Sequence, residues 1–165
     1  MPITFRWCLG AVISFNKIMN QAAIFDMDGL LLDTESLWGE SMMRVALHHH
    51  IEVTMPQLRF TTGLRIYEVT DYWKKKFPWG TTASSEKVAD DILDDIIASA
   101  KINGRVMPGV HQCLDWMQKK GLKIGLATSS PMRMLQDLVS HFGLISYFDA
   151  TLSADTAKYG KPHPE

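Results

Sequence analysis

The stretch Ala22-Ala-Ile-Phe-Asp26-Met-Asp28-Gly29 places two carboxylates directly after a short apolar run. An apolar run of about four residues that stops at polar residues is typical of a short buried strand. Acidic side chains at the end of such a strand are costly unless they meet a cation or a phosphate, because buried charge must be paired. Gly29 lets the backbone turn sharply and approach a ligand closely. The stretch therefore predicts a strand that ends in a site for a charged ligand.

Helical periodicity dominates residues 35–107, which contain no good strand pattern. The clearest case is residues 85–100, where apolar side chains recur at every fourth position from Val88 to Ala100. This spacing places them on one face of a helix. Pro108-Gly109 marks the end of the block. These residues therefore predict a small helical bundle.

Helices and strands alternate after the bundle. Residues 110–120 predict an amphipathic helix, residues 123–128 a strand, residues 131–142 a second helix and residues 148–153 a short strand. Alternation of this kind favours a parallel sheet, with the helical block inserted between its first two strands. We therefore predict an α/β fold: a doubly wound, Rossmann-like parallel sheet with an inserted helical cap subdomain.

The same pattern divides the chain into regions. Residues 19–34 and 108–165 are predicted to form the core that contains the sheet, and residues 35–107 the helical cap. Residues 1–18 are interpreted as an N-terminal extension outside the fold. The apolar run over residues 7–15 is too short to span a bilayer, and no small-x-small cleavage pattern follows it.

Polar residues follow each of the three predicted strands. Asp26 and Asp28 follow the first, Thr128-Ser129-Ser130 follows the second and Lys161 follows the third. Doubly wound sheets bind ligands at the carboxyl ends of their strands, so we expect these residues to form one site. Taken alone, each group has a simpler interpretation: a turn with solvated aspartates, a helix N-cap cluster and a solvated lysine.

The run from Ala22 to Glu35 closely resembles the first motif of the haloacid dehalogenase superfamily of phosphohydrolases and phosphomutases. Thr128 matches the second motif, and Lys161, in Gly-Lys-Pro-His-Pro-Glu, resembles the third. The resemblance implies that Asp26 is the nucleophile and becomes an aspartyl phosphate, while Asp28 is the general acid and base. It also implies that Thr128 hydrogen-bonds the transferring phosphate and that Lys161 stabilises the negative charge.

A cofactor and a substrate-binding segment are further implications of this resemblance. Mg²⁺ would be held by the Asp26 carboxylate and the backbone carbonyl of Asp28. Gly63 and Arg65 lie where related caps place a specificity loop, so Arg65 could contact the substrate; a surface salt bridge is the alternative interpretation. Ser129 could add a further donor to the phosphate.

The resemblance runs from Ala22 to the last residue, Glu165. Members of the superfamily continue beyond the third motif with a strand whose acidic residues complete the Mg²⁺ site, and with further strands and helices. We therefore expect a fold that is incomplete at its C-terminus and a chain derived from a longer enzyme. An uncovered sheet edge and uncovered apolar surface would favour aggregation.

Composition limits the partners of the chain. The formal net charge of -1 gives no general reason to bind nucleic acid or an acidic membrane. The two cysteines, Cys8 and Cys113, show neither metal-ligand nor disulfide spacing, which fits a reducing cytoplasm. The expected partner is a small phosphorylated metabolite, and the sequence leaves the oligomeric state open.

Together these features predict a Mg²⁺-dependent phosphatase that hydrolyses small sugar or hexitol phosphates through an aspartyl phosphate. Within the superfamily, the motifs resemble those of bacterial phosphatases that act on hexitol and deoxyglucose phosphates. Two alternatives stay open: a phosphotransferase similar to β-phosphoglucomutase, and a non-catalytic fragment that lacks the fourth motif. Net hydrolysis of a sugar phosphate would distinguish the phosphatase from the phosphotransferase.

Overall fold

The computed structural model describes residues 21–157, except for the side chain of Thr156. The predicted extension over residues 1–18 and the predicted site residue Lys161 lie outside the described residues. In chain order the strands and longer helices are β1 (Ala22–Phe25), α1 (Glu35–His48), α2 (Met55–Leu58), α3 (Ile66–Lys76), α4 (Ser85–Asn103), α5 (Val110–Lys119), β2 (Lys123–Thr128), α6 (Met132–His141) and β3 (Ala150–Ser153). Short 3₁₀ helices occupy Arg59–Thr61, Ile145–Tyr147 and Ala154–Thr156.

Three parallel strands form the sheet, in the order β1-β2-β3. Phe25 at the end of β1 pairs with Leu126 of β2, and Thr128 at the end of β2 pairs with Ser153 at the end of β3. The strands therefore finish at the same edge of the sheet. Helix α6 makes the crossover that two neighbouring parallel strands require. The predicted α/β fold with a parallel sheet is confirmed.

One face of the sheet is buried under α5 and α6. In β2 the buried side chains of Ile124 and Leu126 alternate with half-buried Gly125, as expected for a strand with one covered face. The two buried residues belong to the same hydrophobic core as Leu114 of α5 and Leu138 of α6. This layer of helices fixes the orientation of β2 and of the loop that follows it.

The opposite face of the sheet is open within the described part of the chain. Ile24 of β1 is 76% exposed and Leu152 of β3 is 57% exposed. Gly125 lies in register between Ile24 and Ala150 and has no side chain that could cover its neighbours. An apolar strip of strand surface therefore faces solvent.

Helices α1 to α4 lie between β1 and β2 in the chain. Both α1 and α3 contact α4, and α4 also contacts α6 beside the sheet. Trp73 of α3 and Ile96 of α4 are fully buried in this block. Arg133 of α6 forms an ion pair with Asp94 of α4. Apolar and ionic contacts thus join the helical block to the layer that contains the sheet, while the exact boundary between cap and core stays a prediction.

Candidate active site

The turn after β1 directs two acidic side chains away from the core. Met27 is fully buried, and its carbonyl oxygen accepts the backbone N–H of Leu32 at 3.0 Å. Gly29 has a φ of +72°, in the left-handed region that favours glycine, and its N–H donates to the carbonyl of Leu32 at 2.8 Å. Neighbouring side chains of an extended segment point to opposite sides, so the burial of Met27 turns Asp26 and Asp28 to the other side.

The Asp28 carboxylate accepts hydrogen bonds from three side chains of the described residues. Thr34 Oγ1 and Trp38 Nε1 donate to Asp28 Oδ1, over 2.6 Å and 3.1 Å. Ser130 Oγ donates to Asp28 Oδ2 over 2.6 Å. Thr34 directly precedes α1 and Trp38 lies at the start of that helix, whereas Ser130 belongs to the loop after β2. Asp28 therefore connects the beginning of the helical block with the carboxyl end of the sheet.

The loop after β2 is held by its own polar groups. Thr128 Oγ1 accepts the backbone N–H of Ser130 at 3.1 Å, and the Ser130 carbonyl accepts the hydroxyl of Ser153 at 2.7 Å. Thr128, Ser130 and Ser153 are all buried. These contacts join the ends of β2 and β3, and Ser130 continues to Asp28 after β1. The structure thus brings together Asp28, Thr128 and Ser130 of the predicted site.

Ser129 lies between these two anchored residues of the loop. Its hydroxyl oxygen is buried and has no hydrogen-bond partner in the part of the chain that the structure describes. A buried polar group without a partner costs free energy, and such groups commonly face a ligand or an ordered water. The position of Ser129 therefore fits the predicted donor to a phosphate.

Two oxygen atoms at the end of β1, one from Asp26 and one from Asp28, are suited to bind a metal ion. Asp26 Oδ1 accepts the backbone N–H of Met27 at 2.8 Å, which orients this carboxylate. Three donors already bind the Asp28 carboxylate, so its backbone carbonyl is the better-suited ligand, as the family resemblance implies. Such hard oxygen donors fit Mg²⁺. Within residues 21–157 there is no group of three or more His, Cys, Asp or Glu residues that could hold a metal, so these residues would supply part of a coordination shell.

Arg65 lies at the start of α3 and reaches the loop after β3. Its guanidinium forms an ion pair with Glu68 and donates to the carbonyls of Ala154 at 3.4 Å and Ala157 at 3.0 Å. The hydrogen bonds between them raise the pKa of the Arg65 guanidinium and lower the pKa of the Glu68 carboxyl. Gly63, two residues before, has a φ of +85° and open space around it. Arg65 therefore makes the salt bridge given as its alternative role, and its role in substrate binding stays a prediction.

A cleft of about 350 Å³ lies beside this ion pair. Its walls include Arg65, Tyr67, Glu68 and Asp155. Burial raises the pKa of Tyr67 to about 12, with a further contribution from its hydrogen bond to Asp90. The Tyr67 hydroxyl therefore stays neutral at physiological pH. The cleft offers hydroxyl, guanidinium and carboxylate groups at the edge of the sheet where β3 ends.

The sequence predicted Ser130 in the same site as Asp28, but it did not predict Thr34 and Trp38 as partners of Asp28. Thr34 and Trp38 are four residues apart, a spacing that places them on the same side of a helix start. This spacing, directly after the turn that carries Asp28, was a usable signal. Ser130 meets Asp28 because β1 and β2 are parallel, as the alternation of helices and strands predicted.

Comparison with known sequences gives a consistent result. A family model described as haloacid dehalogenase-like hydrolase matches residues 23–165. Hexitol phosphatase B of Escherichia coli K12 is 37% identical over 145 residues, which cover 87% of this chain and 65% of that protein. A phosphorylated carbohydrates phosphatase from Thermotoga maritima is 31% identical over 159 residues, with 88% and 66% of the two chains covered. The chain thus spans about two thirds of the length of these curated relatives.

Solved structures agree with the sequence comparison at the level of the fold. CbbY from Rhodobacter sphaeroides, solved in complex with phosphate, superposes with a TM-score of 0.78 at 18% identity and covers 88% of this chain and 68% of its own. A β-phosphoglucomutase from Clostridium difficile gives a TM-score of 0.71 at 23% identity, with 88% and 67% covered. At these identities the likeness establishes a shared fold.

Proposed function

The chain belongs to the haloacid dehalogenase-like hydrolase family, and on this basis we propose that it is a Mg²⁺-dependent phosphatase of small sugar or hexitol phosphates that forms an aspartyl phosphate. The names of its relatives from E. coli and T. maritima, a hexitol phosphatase and a phosphatase of phosphorylated carbohydrates, support this substrate class. The observation that carries the proposal is the hydrogen bond from Ser130 to Asp28. It joins the acidic turn after β1 to the hydroxyl-rich loop after β2.

The proposed reaction begins at Asp26. One of its carboxylate oxygens attacks the phosphorus of a bound monoester, forms a bond to it and displaces the sugar oxygen. Asp28 gives its proton to this leaving oxygen. A water molecule then attacks the phosphorus and gives a proton to Asp28, and cleavage of the bond between phosphorus and Asp26 releases inorganic phosphate. Mg²⁺, held by the Asp26 carboxylate and the Asp28 carbonyl, would supply positive charge against the phosphoryl oxygens.

The hydroxyl groups after β2 are suited to hold the phosphoryl group. Thr128 Oγ1 uses a lone pair to accept the N–H of Ser130, so its O–H hydrogen can point to a ligand. The buried hydroxyl of Ser129 needs a partner, and a phosphate oxygen would provide an acceptor. Lys161 would add a positive charge after β3. We propose that residues 35–107 form a cap that excludes water, over a core of residues 19–34 and 108–165.

The charges around the cleft favour a substrate with one phosphate. Glu68 neutralises Arg65, and Asp155 adds a second carboxylate to the walls. A second phosphate in this cleft would therefore meet net negative charge, whereas neutral sugar hydroxyls could bond to these groups. This supports hydrolysis of a monophosphate over the phosphotransferase alternative, in which a sugar bisphosphate is bound. The partner is then a small phosphorylated metabolite, and we place its hydrolysis in the cytoplasm.

Phosphate release tests this function. The full chain, with Mg²⁺ and with EDTA, is incubated with a panel of sugar and hexitol phosphates. We expect Mg²⁺-dependent release that Asp26→Asn abolishes, because an amide cannot form the aspartyl phosphate. Asp33→Asn is the matched control: Asp33 lies in the same segment but pairs with Arg105 at the surface, so activity should persist.

Two other outcomes of this experiment favour the alternative functions, and a third contradicts the mechanism. Interconversion of sugar monophosphates that requires a bisphosphate and gives no net release would favour the phosphotransferase. Absence of release from a folded sample would favour the non-catalytic fragment. Release that survives Asp26→Asn would contradict the proposed mechanism.

A further inference from the structure

Trp38 differs in kind from the other two side chains that donate to Asp28. The indole N–H can only donate, whereas the hydroxyls of Thr34 and Ser130 can donate or accept. The hydroxyls of Thr34 and Ser130 can therefore turn toward other partners. The indole of Trp38 has one donor in a fixed direction, and its Nε1 lies 3.1 Å from Asp28 Oδ1.

Trp38 and Ser130 hold different oxygens of Asp28. The indole N–H donates to Oδ1 at 3.1 Å, and Ser130 Oγ donates to Oδ2 at 2.6 Å. A carboxylate that is held at both oxygens keeps one orientation, and orientation of a reacting group contributes to catalysis. We propose that Trp38 is a positioning residue that fixes the orientation of the Asp28 carboxylate. The inference rests on the acid and base role of Asp28 in the proposed function.

Thr34 cannot replace Trp38 in this role. Its hydroxyl is fully buried, donates to Asp28 Oδ1 at 2.6 Å, and also lies 3.4 Å from the carbonyl of Leu32. The Thr34 hydroxyl can therefore turn to the Leu32 carbonyl and leave Oδ1. Without the indole N–H, Oδ1 would lose its fixed donor, and the carboxylate would be free to rotate away from the orientation that the reaction needs.

Trp38 also connects the orientation of Asp28 to the helical block. It belongs to α1, which packs against α4, whereas Ser130 belongs to the loop after β2. The donor to Oδ1 and the partner of Oδ2 thus lie on the two parts of the molecule that the proposed cap and core represent. A displacement of α1 would carry the indole away from Asp28.

An NMR measurement on the full chain tests the contact without any catalysis. The indole N–H resonance of Trp38 is assigned by its loss in Trp38→Phe. We expect Asp28→Ala to shift this resonance, because the acceptor is removed. The indole N–H of Trp79, which donates to the carbonyl of Ala83 at 3.1 Å, should keep its position. A Trp38 resonance that does not respond to Asp28→Ala would overturn the proposal.

Steady-state kinetics test the positioning role. Trp38→Phe keeps an aromatic ring and removes the N–H, and we expect kcat to fall about tenfold with KM within about twofold of the wild-type value. Trp79→Phe loses an indole hydrogen bond of similar length outside the site and should leave kcat unchanged. An unchanged kcat in Trp38→Phe, or an equal loss in Trp79→Phe, would overturn the role.

The two measurements separate this inference from the proposed function. A wild-type chain that releases no phosphate removes the proposed function and the positioning role with it, while the indole resonance still decides whether the contact exists. If the wild-type chain is active but the Trp38 resonance does not shift in Asp28→Ala, the inference about Trp38 is wrong and the proposed function is unaffected.

Discussion

Ser129 carries a buried hydroxyl without a partner among the described residues. Removal of this hydroxyl should therefore weaken substrate binding without lowering the stability of the fold. Ser129→Ala deletes an unsatisfied polar group, and we expect the free energy of unfolding to stay constant or rise by up to about 1 kcal/mol. If the hydroxyl binds the phosphate, KM for a sugar phosphate should rise several-fold. Urea denaturation and initial-rate kinetics measure the two effects.

Ser153 provides the comparison for Ser129. Its buried hydroxyl donates to the carbonyl of Ser130 at 2.7 Å, so Ser153→Ala leaves that carbonyl without this donor. We expect this variant to lose about 1 kcal/mol in the free energy of unfolding. If Ser129→Ala were destabilised as much as Ser153→Ala, the Ser129 hydroxyl would have to be bonded within the fold instead of facing a ligand.

At the scale of elements, α1 is joined to α4 by an ion pair whose strength should depend on pH. Arg44 Nη2 donates to Asp95 Oδ2 at 2.6 Å and to the hydroxyl of Ser99 at 2.7 Å. Burial alone would raise the pKa of Asp95, but the hydrogen bonds and charge of Arg44 outweigh it and lower the pKa. A carboxyl group whose pKa is lower in the folded state stabilises the fold above its unfolded pKa, and this contribution disappears as the pH falls through the folded pKa.

We therefore expect Asp95→Asn to lower the free energy of unfolding by about 0.5–1 kcal/mol at neutral pH. The difference from wild type should shrink as the pH falls below 3.8, the usual pKa of this carboxyl group. Urea denaturation at several pH values measures it. Arg44→Met should give a similar loss, and the double variant should lose less than the sum. A difference that does not change with pH would show that packing is responsible instead of charge.

Helix α4 is the element on which the helical block depends. Ile96 is fully buried between neighbouring helices, whereas Ile102 near the end of the same helix is 80% exposed. We expect Ile96→Ala to lower the free energy of unfolding by about 3 kcal/mol, because it leaves a cavity in a closely packed core. Ile102→Ala should change it by less than about 0.5 kcal/mol. Similar losses in the two variants, measured by urea denaturation, would contradict the packing described for α4.

The elements with strong periodicity were predictable from the sequence. The helix predicted over 85–100 is observed as Ser85–Asn103, and the strand predicted over 123–128 is observed at Lys123–Thr128. Helix α2 was not predicted, because its four residues are too few to show a period. It begins at the capping box Thr54-Met-Pro-Gln57, in which the Gln57 side chain accepts the backbone N–H of Thr54 at 2.7 Å. This motif was a usable signal for the start of the helix.

The candidate site was predictable to the same extent as the sheet. Asp28 and the loop from Thr128 to Ser130 meet because β1 and β2 are parallel neighbours. Alternation of helices and strands had predicted the parallel sheet, and the structure adds that the two strands are adjacent. The contact of Trp38 with Asp28 depends on where the tertiary packing of α1 directs the indole, and helical periodicity does not report that direction. Lys161 lies outside the described residues, so its placement in the site stays a prediction.

At the scale of the whole molecule, the open face of the sheet should promote self-association. Exposed Leu152 of β3 and Ile24 of β1 belong to one apolar strip, and contiguous apolar surface on a sheet favours contact between copies. We expect Leu152→Ser to lower the weight-average molecular mass of concentrated samples, measured by analytical ultracentrifugation. Leu47→Ser, at a more exposed position on α1, should have little effect. Equal effects of the two substitutions would show that association does not use the sheet.

The bond between Trp38 and Asp28 also gives the molecule an internal optical reporter. The emission of an indole depends on the charge and water around it, and this indole touches the carboxylate that the proposed reaction would protonate and deprotonate. The difference in fluorescence between the wild type and Trp38→Phe isolates that signal from the other tryptophans. Ligand entry could then be followed in real time on the unlabelled protein, even with compounds that are never turned over.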